Sequence, residues 1–155
     1  MKDWSKMREK QDEKITGVDI YQFGIFKGKP IEILNNPTSV TGKESKVSIR
    51  GFEERTLEIP AVFGKHFGII YVVKGNPAAA MVNIRLRISH PPMKNPDTEK
   101  IHTSMDSVRM VKIGAHEFHG WMFEHKWEMV PGQYSFQIFD QHKELGRKTF
   151  TVYLP

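Results

Sequence analysis

Histidine is the first residue type in this sequence that could carry chemistry. Seven are present in 155 residues, with no cysteine. A metal centre would have to be built from imidazole and carboxylate alone, and thiol nucleophiles, iron–sulfur clusters, zinc ribbons and disulfide frameworks are excluded. His116, His119 and His125 fall within ten residues. Their spacing works against a shared ion. In an extended chain the odd separation sends His116 and His119 to opposite faces. His119 and His125 share a face but stand about 20 Å apart at ~3.3 Å per residue. A turn at Gly114-Ala115 is the local device that would bring His116 and His119 together, so these two are the weak metal candidates against a background of scattered surface histidines. His116-Glu117-Phe118-His119 also lacks the second residue between glutamate and histidine that the helical zincin motif needs. The expectation is no metal and no other cofactor.

Other catalytic constellations fail for equally concrete reasons. Thr41-Gly42-Lys43-Glu44 contains a Gly-Lys pair, but Pro37 stands where the first P-loop glycine belongs and Glu44 where Ser or Thr belongs. No Gly-x-Ser-x-Gly elbow occurs. Glu53-Glu54 adjoin Arg55, and neighbours in sequence do not face each other, so they read as a solvated loop. A glycosidase-like carboxylate pair would have to be assembled from distant positions that spacing does not select.

Binding candidates are more concrete. Arg85 and Arg87 project from one face of a strand, about 6–7 Å apart, and could grip an acidic partner bidentately; the competing reading is an ordinary solvated sheet face. Aromatics interleaved with those charges would suggest nucleic acid, and Asn83 and Ser89 supply none, so nucleic acid is not expected. In His119–Trp127, the residues Trp121, Phe123 and Trp127 share a face that reads as core; an exposed Trp127 would be a sugar or peptide platform. His90-Pro91-Pro92 with Asn95-Pro96 reads as a rigid corner, a strand stop with room for a cis peptide or a preformed recognition loop.

These residues are carried by strands. After residues 1–14, a charged lead-in read as a tail or a short frayed helix, Gly and Pro punctuate short aromatic and β-branched runs. Strands are expected at Val18–Phe26, closed by Lys27-Gly28-Lys29-Pro30, and at Lys46–Arg50, around Leu57 and Ile59, and at Phe67–Val73, the last apolar on both faces. The clearest alternation sets Val82, Ile84, Leu86 and Ile88 against Asn83, Arg85, Arg87 and Ser89. Val108–Ile113, Phe118–Trp127, Tyr134–Phe139 and Lys148–Leu154 follow. About eight strands without a convincing helix predict an all-β fold, an antiparallel, immunoglobulin-like β-sandwich over 15–155, with a closed barrel as the rival.

Net charge is +5, aromatics 11% and charged residues 26%, a mildly basic globular composition rather than a disordered one. No apolar segment approaches the ~18 residues of a spanning helix and no signal sequence is evident, which predicts a soluble, cytoplasmic protein without a membrane role.

Taken together, several segments resemble a known family. They are Tyr21–Phe26, Ile59-Pro60-Ala61 with Gly64–Gly68, His90-Pro91-Pro92 with Asn95-Pro96, Val130–Phe136 and Lys148–Val152. The set resembles, over roughly residues 17–153, a small bacterial family catalogued only as a domain of unknown function. The resemblance implies a bacterial origin and a β-sandwich, and brings no catalytic residues with it. The function expected first is a non-enzymatic module binding a protein or peptide partner. The alternative is a small-molecule or carbohydrate-binding domain, with hydrolysis open to it, using a loop-lined cleft; convergent carboxylates and histidines in a deep pocket would favour it.

Overall fold

Two-residue periodicity between turn residues leaves this chain one way to bury its apolar side chains, and the computed structural model, which describes residues 14–155, is built almost wholly of strands. They are β1 (Lys14–Asn35), β2 (Lys43–Glu54), β3 (Glu58–Pro60), β4 (His66–Asn76), β5 (Met81–Lys94), β6 (Ile101–Lys112), β7 (His116–Met122), β8 (Gly132–Asp140) and β9 (Lys143–Tyr153). One sheet has the order β2-β1-β4-β7, the other β3-β9-β8-β5-β6. Neighbours are antiparallel except β3, which runs parallel to β9. The all-β sandwich is as expected, with nine strands among the described residues rather than about eight. Residues 1–13, which hold nearly all of the expected tail, lie outside the described residues, and Lys14 already opens β1.

The core lies between the sheets. Phe67, Ile69, Tyr71 and Val73 of β4 meet Val82, Ile84, Leu86 and Ile88 of β5 together with Tyr134, Phe136 and Ile138 of β8, all buried. Ile70 and Val72, on the outer face of β4, are only half-buried, so the expectation of a strand apolar and buried on both faces holds for one face. Aromatic rings interlock around Phe67, which lies 5.5–5.6 Å from Phe123, Tyr134, Phe136 and Phe150. In the register of β1 and β4, Gly24 stands opposite Gly68. Gly68 has φ +153°, and a Cβ there would sit 2.2 Å from the His119 carbonyl oxygen, so the site requires glycine.

Three expected boundaries are corrected. Lys27–Pro30 does not end the first strand. β1 continues to Asn35, because beyond Phe26 it has β2 alone as a neighbour, and a proline at such an edge position leaves no ladder bond unmade. His90-Pro91-Pro92 does not end β5 either. The pairing with β8 is over by Ser89, and a register shift between Ser89 and Met93 takes up the prolines opposite β6. The X-Pro bond that is cis is Asn76–Pro77, not one in this corner. β7 stops at Met122, and Lys126–Glu128 form a 3-10 turn. There the buried Glu128 carboxylate accepts the backbone N–H groups of Glu124 and His125 at 3.0 Å each, which pulls the chain out of the strand.

β1 pairs first with β4 and then with β2, bending through register shifts at Ile25/Phe26, Lys27/Gly28 and Pro30/Glu32. Its second half and β2 make an arm whose tip is tied to β6. Asn36 Nδ2 donates to the Asp106 carbonyl at 2.7 Å; Thr38 Oγ1 donates to the same carbonyl at 3.0 Å and accepts the Asp106 N–H at 2.9 Å. Asn95 Nδ2 donates to the Val40 carbonyl at 3.0 Å. Because β7 and β6 are terminal strands of the two sheets, the arm crosses the open side between them.

Candidate functional site

Under that arm is a cleft of about 280 Å³. Strand parity decides which side chains reach it. On β6, Met105, Ser107 and Arg109 stand opposite Ile88, Leu86 and Ile84 of β5 and therefore face inward. On β7, Glu117 and His119 stand opposite Tyr71 and Ile69 of β4. From the arm come Glu44 and Ser45. A tyrosine, two glutamates, an arginine and a histidine thus converge on a wall that is otherwise apolar.

Their charges are distributed unevenly. Arg109 Nη2 lies 2.8 Å from Glu44 Oε2, with side-chain exposures of 22% and 10%, so the pair is largely withdrawn from water. Lys46, on the same wall, pairs with Glu32 at 3.5 Å. Glu117 makes no ion pair or hydrogen bond among the described residues. Burial pushes its carboxyl above the ordinary carboxylate range, and no cation offsets that. Tyr71 is 1% exposed, and its hydroxyl likewise has no partner among the described residues. Burial raises the hydroxyl's pKa, the Glu117 charge raises it further, and Arg109 opposes. His119 donates from Nε2 to the Arg87 carbonyl at 3.1 Å, joining the two sheets, and its ring meets Phe136 edge-on. Burial depresses it to about 4, against the hydrogen bond to Arg87 and with help from Arg109, so it is neutral at pH 7.

Of the candidate residues singled out from sequence, His119 lines this cleft and the others do not. Arg85 and Arg87 share the outer face of β5, as their parity requires. Arg87 Nε is held by Asp106 Oδ1 at 2.7 Å, which raises the guanidinium pKa, and Arg85 Nη1 reaches the Gln141 carbonyl at 3.4 Å. His90 points the other way and is buried. It donates from Nδ1 to the Pro91 carbonyl at 2.7 Å and lies 5.2 Å from the Trp121 ring. Burial lowers its pKa first of all. His90 Nε2, His102 Nδ1 and Trp121 Nε1 are buried without a partner among the described residues. Trp127 is half-buried on the 3-10 turn and packs on the core, with one face covered by the His125 ring 5.3 Å away. His116 is exposed against Tyr21 whereas His119 is inside, and Gly114-Ala115 does not bring them together. Among the described residues no group of three or more His, Asp or Glu could hold a metal ion, and no helix is long and apolar enough to cross a membrane.

Sequence reasoning passed over Tyr71, Arg109 and Glu117. A signal existed for two of them. Arg109 alternates with inward Val111 and Ile113, and Glu117 with inward His119 and Trp121, so each is a charge placed in an apolar phase. Tyr71 sits in an apolar run that gives its hydroxyl no destination.

Two packed sheets with a crossing arm define an immunoglobulin-like β-sandwich. The same architecture appears in the crystal structure of an immunoglobulin-like protein from Pseudomonas aeruginosa, similar at a TM-score of 0.62 and 20% identity over 92% of this chain and 97% of that one. At that identity the likeness speaks for the fold alone. The chain belongs to the DUF3859 family, a domain of unknown function, whose model matches residues 14–152. No curated protein matches the chain.

Proposed function

We propose that this domain is a non-enzymatic binding module that holds a small molecule in the cleft between β2, β6 and β7. One observation carries the reading: the Tyr71 hydroxyl and the half-buried Glu117 carboxylate, on paired positions of β4 and β7, both line the cleft and have no hydrogen-bond partner among the described residues. A carboxylate and a hydroxyl that open into a largely apolar concavity and are not engaged by the protein are the few convergent polar groups by which such a cleft fixes an occupant. At about 280 Å³ the cleft is near the lower end of ligand-pocket sizes. Its walls are strands rather than the loops expected from sequence. Acid–base catalysis is disfavoured because Glu44 is engaged by Arg109, and His119 is neutral with Nε2 already committed. The outer-face reading, an acidic partner gripped by Arg85 and Arg87, loses ground because Asp106 already occupies Arg87.

Ligand-observed NMR with a mixed fragment set tests the reading. Fragments should bind the wild type and be lost in Ser107→Phe, which fills the cleft from β6. Equal binding to both proteins, or none to the wild type, would refute it.

A further inference from the structure

The cleft also specifies a ligand class, an inference that rests on the binding reading above. The charged side chains facing the cavity are Glu44 and Lys46 from β2, Arg109 from β6 and Glu117 from β7, with Tyr71 of β4 and neutral His119 of β7 as the other titratable groups. Arg109 is neutralised by the largely buried Glu44, and Lys46 keeps its charge at the water-exposed edge, in a loose 3.5 Å pair with Glu32. Glu117 is the charge left over, and Tyr71, 1% exposed on the strand beside it, adds an oxygen without a partner among the described residues. Two oxygen acceptors in one low-dielectric wall suit an ammonium group, which has three donors and no acceptor. A carboxylate entering the same place would meet Glu117 with like charge. Beyond the polar end the lining is hydrocarbon: Leu86, Ile88, Met105 and Phe118, with the exposed Ile31 and Met110 at the rim.

We infer that the occupant is a small amphipathic amine, its ammonium held by the Glu117 carboxylate and the Tyr71 hydroxyl and its apolar body laid along β6 and β7. The hydroxyl keeps its proton and accepts through its oxygen lone pairs.

The experiment compares hexylammonium, hexanol and hexanoate by isothermal titration at pH 7.5 with wild-type protein, Glu117→Gln and Tyr71→Phe. Glu117→Gln keeps shape and removes charge, so folding is retained and is checked by the thermal midpoint. The expected result is hexylammonium bound about tenfold or more tighter than hexanol, with hexanoate weaker than either. Glu117→Gln should remove the advantage of the amine while hexanol binding persists, and Tyr71→Phe should reduce it severalfold. Hexanoate bound as tightly as the amine, or an amine preference unchanged in Glu117→Gln, would overturn the ligand class and leave the binding cleft standing. A lysine peptide blocked at both ends that outcompetes hexylammonium would move the ammonium onto a partner chain and overturn the small-molecule assignment. Failure of all three probes, together with an empty fragment screen, would bring down the binding reading itself.

Discussion

His119 should make a measurable contribution of its own to the acid sensitivity of this protein. His119 is buried between the sheets and its pKa is depressed from 6.5 to about 4. In the unfolded chain the imidazole returns to its ordinary value. Between pH 6.5 and about 4 the unfolded state therefore binds a proton that the folded state refuses, and stability falls as pH falls. Above pH 6.5 the contribution is fully present; below about 4 no more is lost. At ~1.36 kcal/mol per pH unit, the displacement amounts to about 3 kcal/mol. His119→Gln supplies the comparison. The amide can still donate to the Arg87 carbonyl but does not titrate in this range. His66 and His90, whose pKa values are also lowered, are common to both proteins and cancel. Urea unfolding followed by tryptophan fluorescence at intervals from pH 7.5 to 4 should show the wild type losing about 3 kcal/mol more than His119→Gln. Two curves running parallel across this range would refute the assignment of a neutral, sheet-bridging His119.

Three other perturbations test the packing and the electrostatics. Leu86→Ala should cost roughly 2–5 kcal/mol and Arg85→Ala within about 0.5, measured by chemical denaturation; the reverse order would mean the β5 register is wrong. Gly68→Ala should destabilise by about 3 kcal/mol or more, since it adds a backbone clash to a φ of +153°, and an unchanged thermal midpoint would contradict the close β4–β7 approach. Arg109→Leu should be more damaging than the double change Arg109→Leu/Glu44→Leu, because the single change strands a nearly buried carboxylate; equal losses in a double-mutant cycle would mean the pair is solvated.

The alternation of β5 was fully legible in the sequence, because four apolar residues against four polar ones admit one register. The opposite orientations of His116 and His119 followed from parity alone. Strand ends at prolines were misread. Proline blocks pairing on one side only, and both Pro30 and Pro91-Pro92 lie where a neighbour is missing or bulged. The cleft was illegible for a different reason. Glu44, Tyr71, Arg109 and Glu117 belong to four strands and meet only because β1 bends between β4 and β2 and carries the arm across to β6. Lys27-Gly28-Lys29-Pro30 marks the place of that bend but reads as a strand end, and nothing local shows that the chain continues in β1 and reaches β6. The aromatic run predicts a strand through Trp127, whereas the Glu128 carboxylate turns the chain after Met122 and leaves Trp127 on the 3-10 turn.

The most direct test of the cleft as a binding site is a ¹H–¹⁵N correlation spectrum of the assigned protein titrated with hexylammonium. The account predicts shifts concentrated at Ser45 and Val47 on β2, Tyr71 on β4, Ser107 and Arg109 on β6, and Glu117 on β7, with the amides around Arg85 and Arg87 unmoved. Shifts centred on that outer face, or a spectrum without change at the cleft, would contradict it.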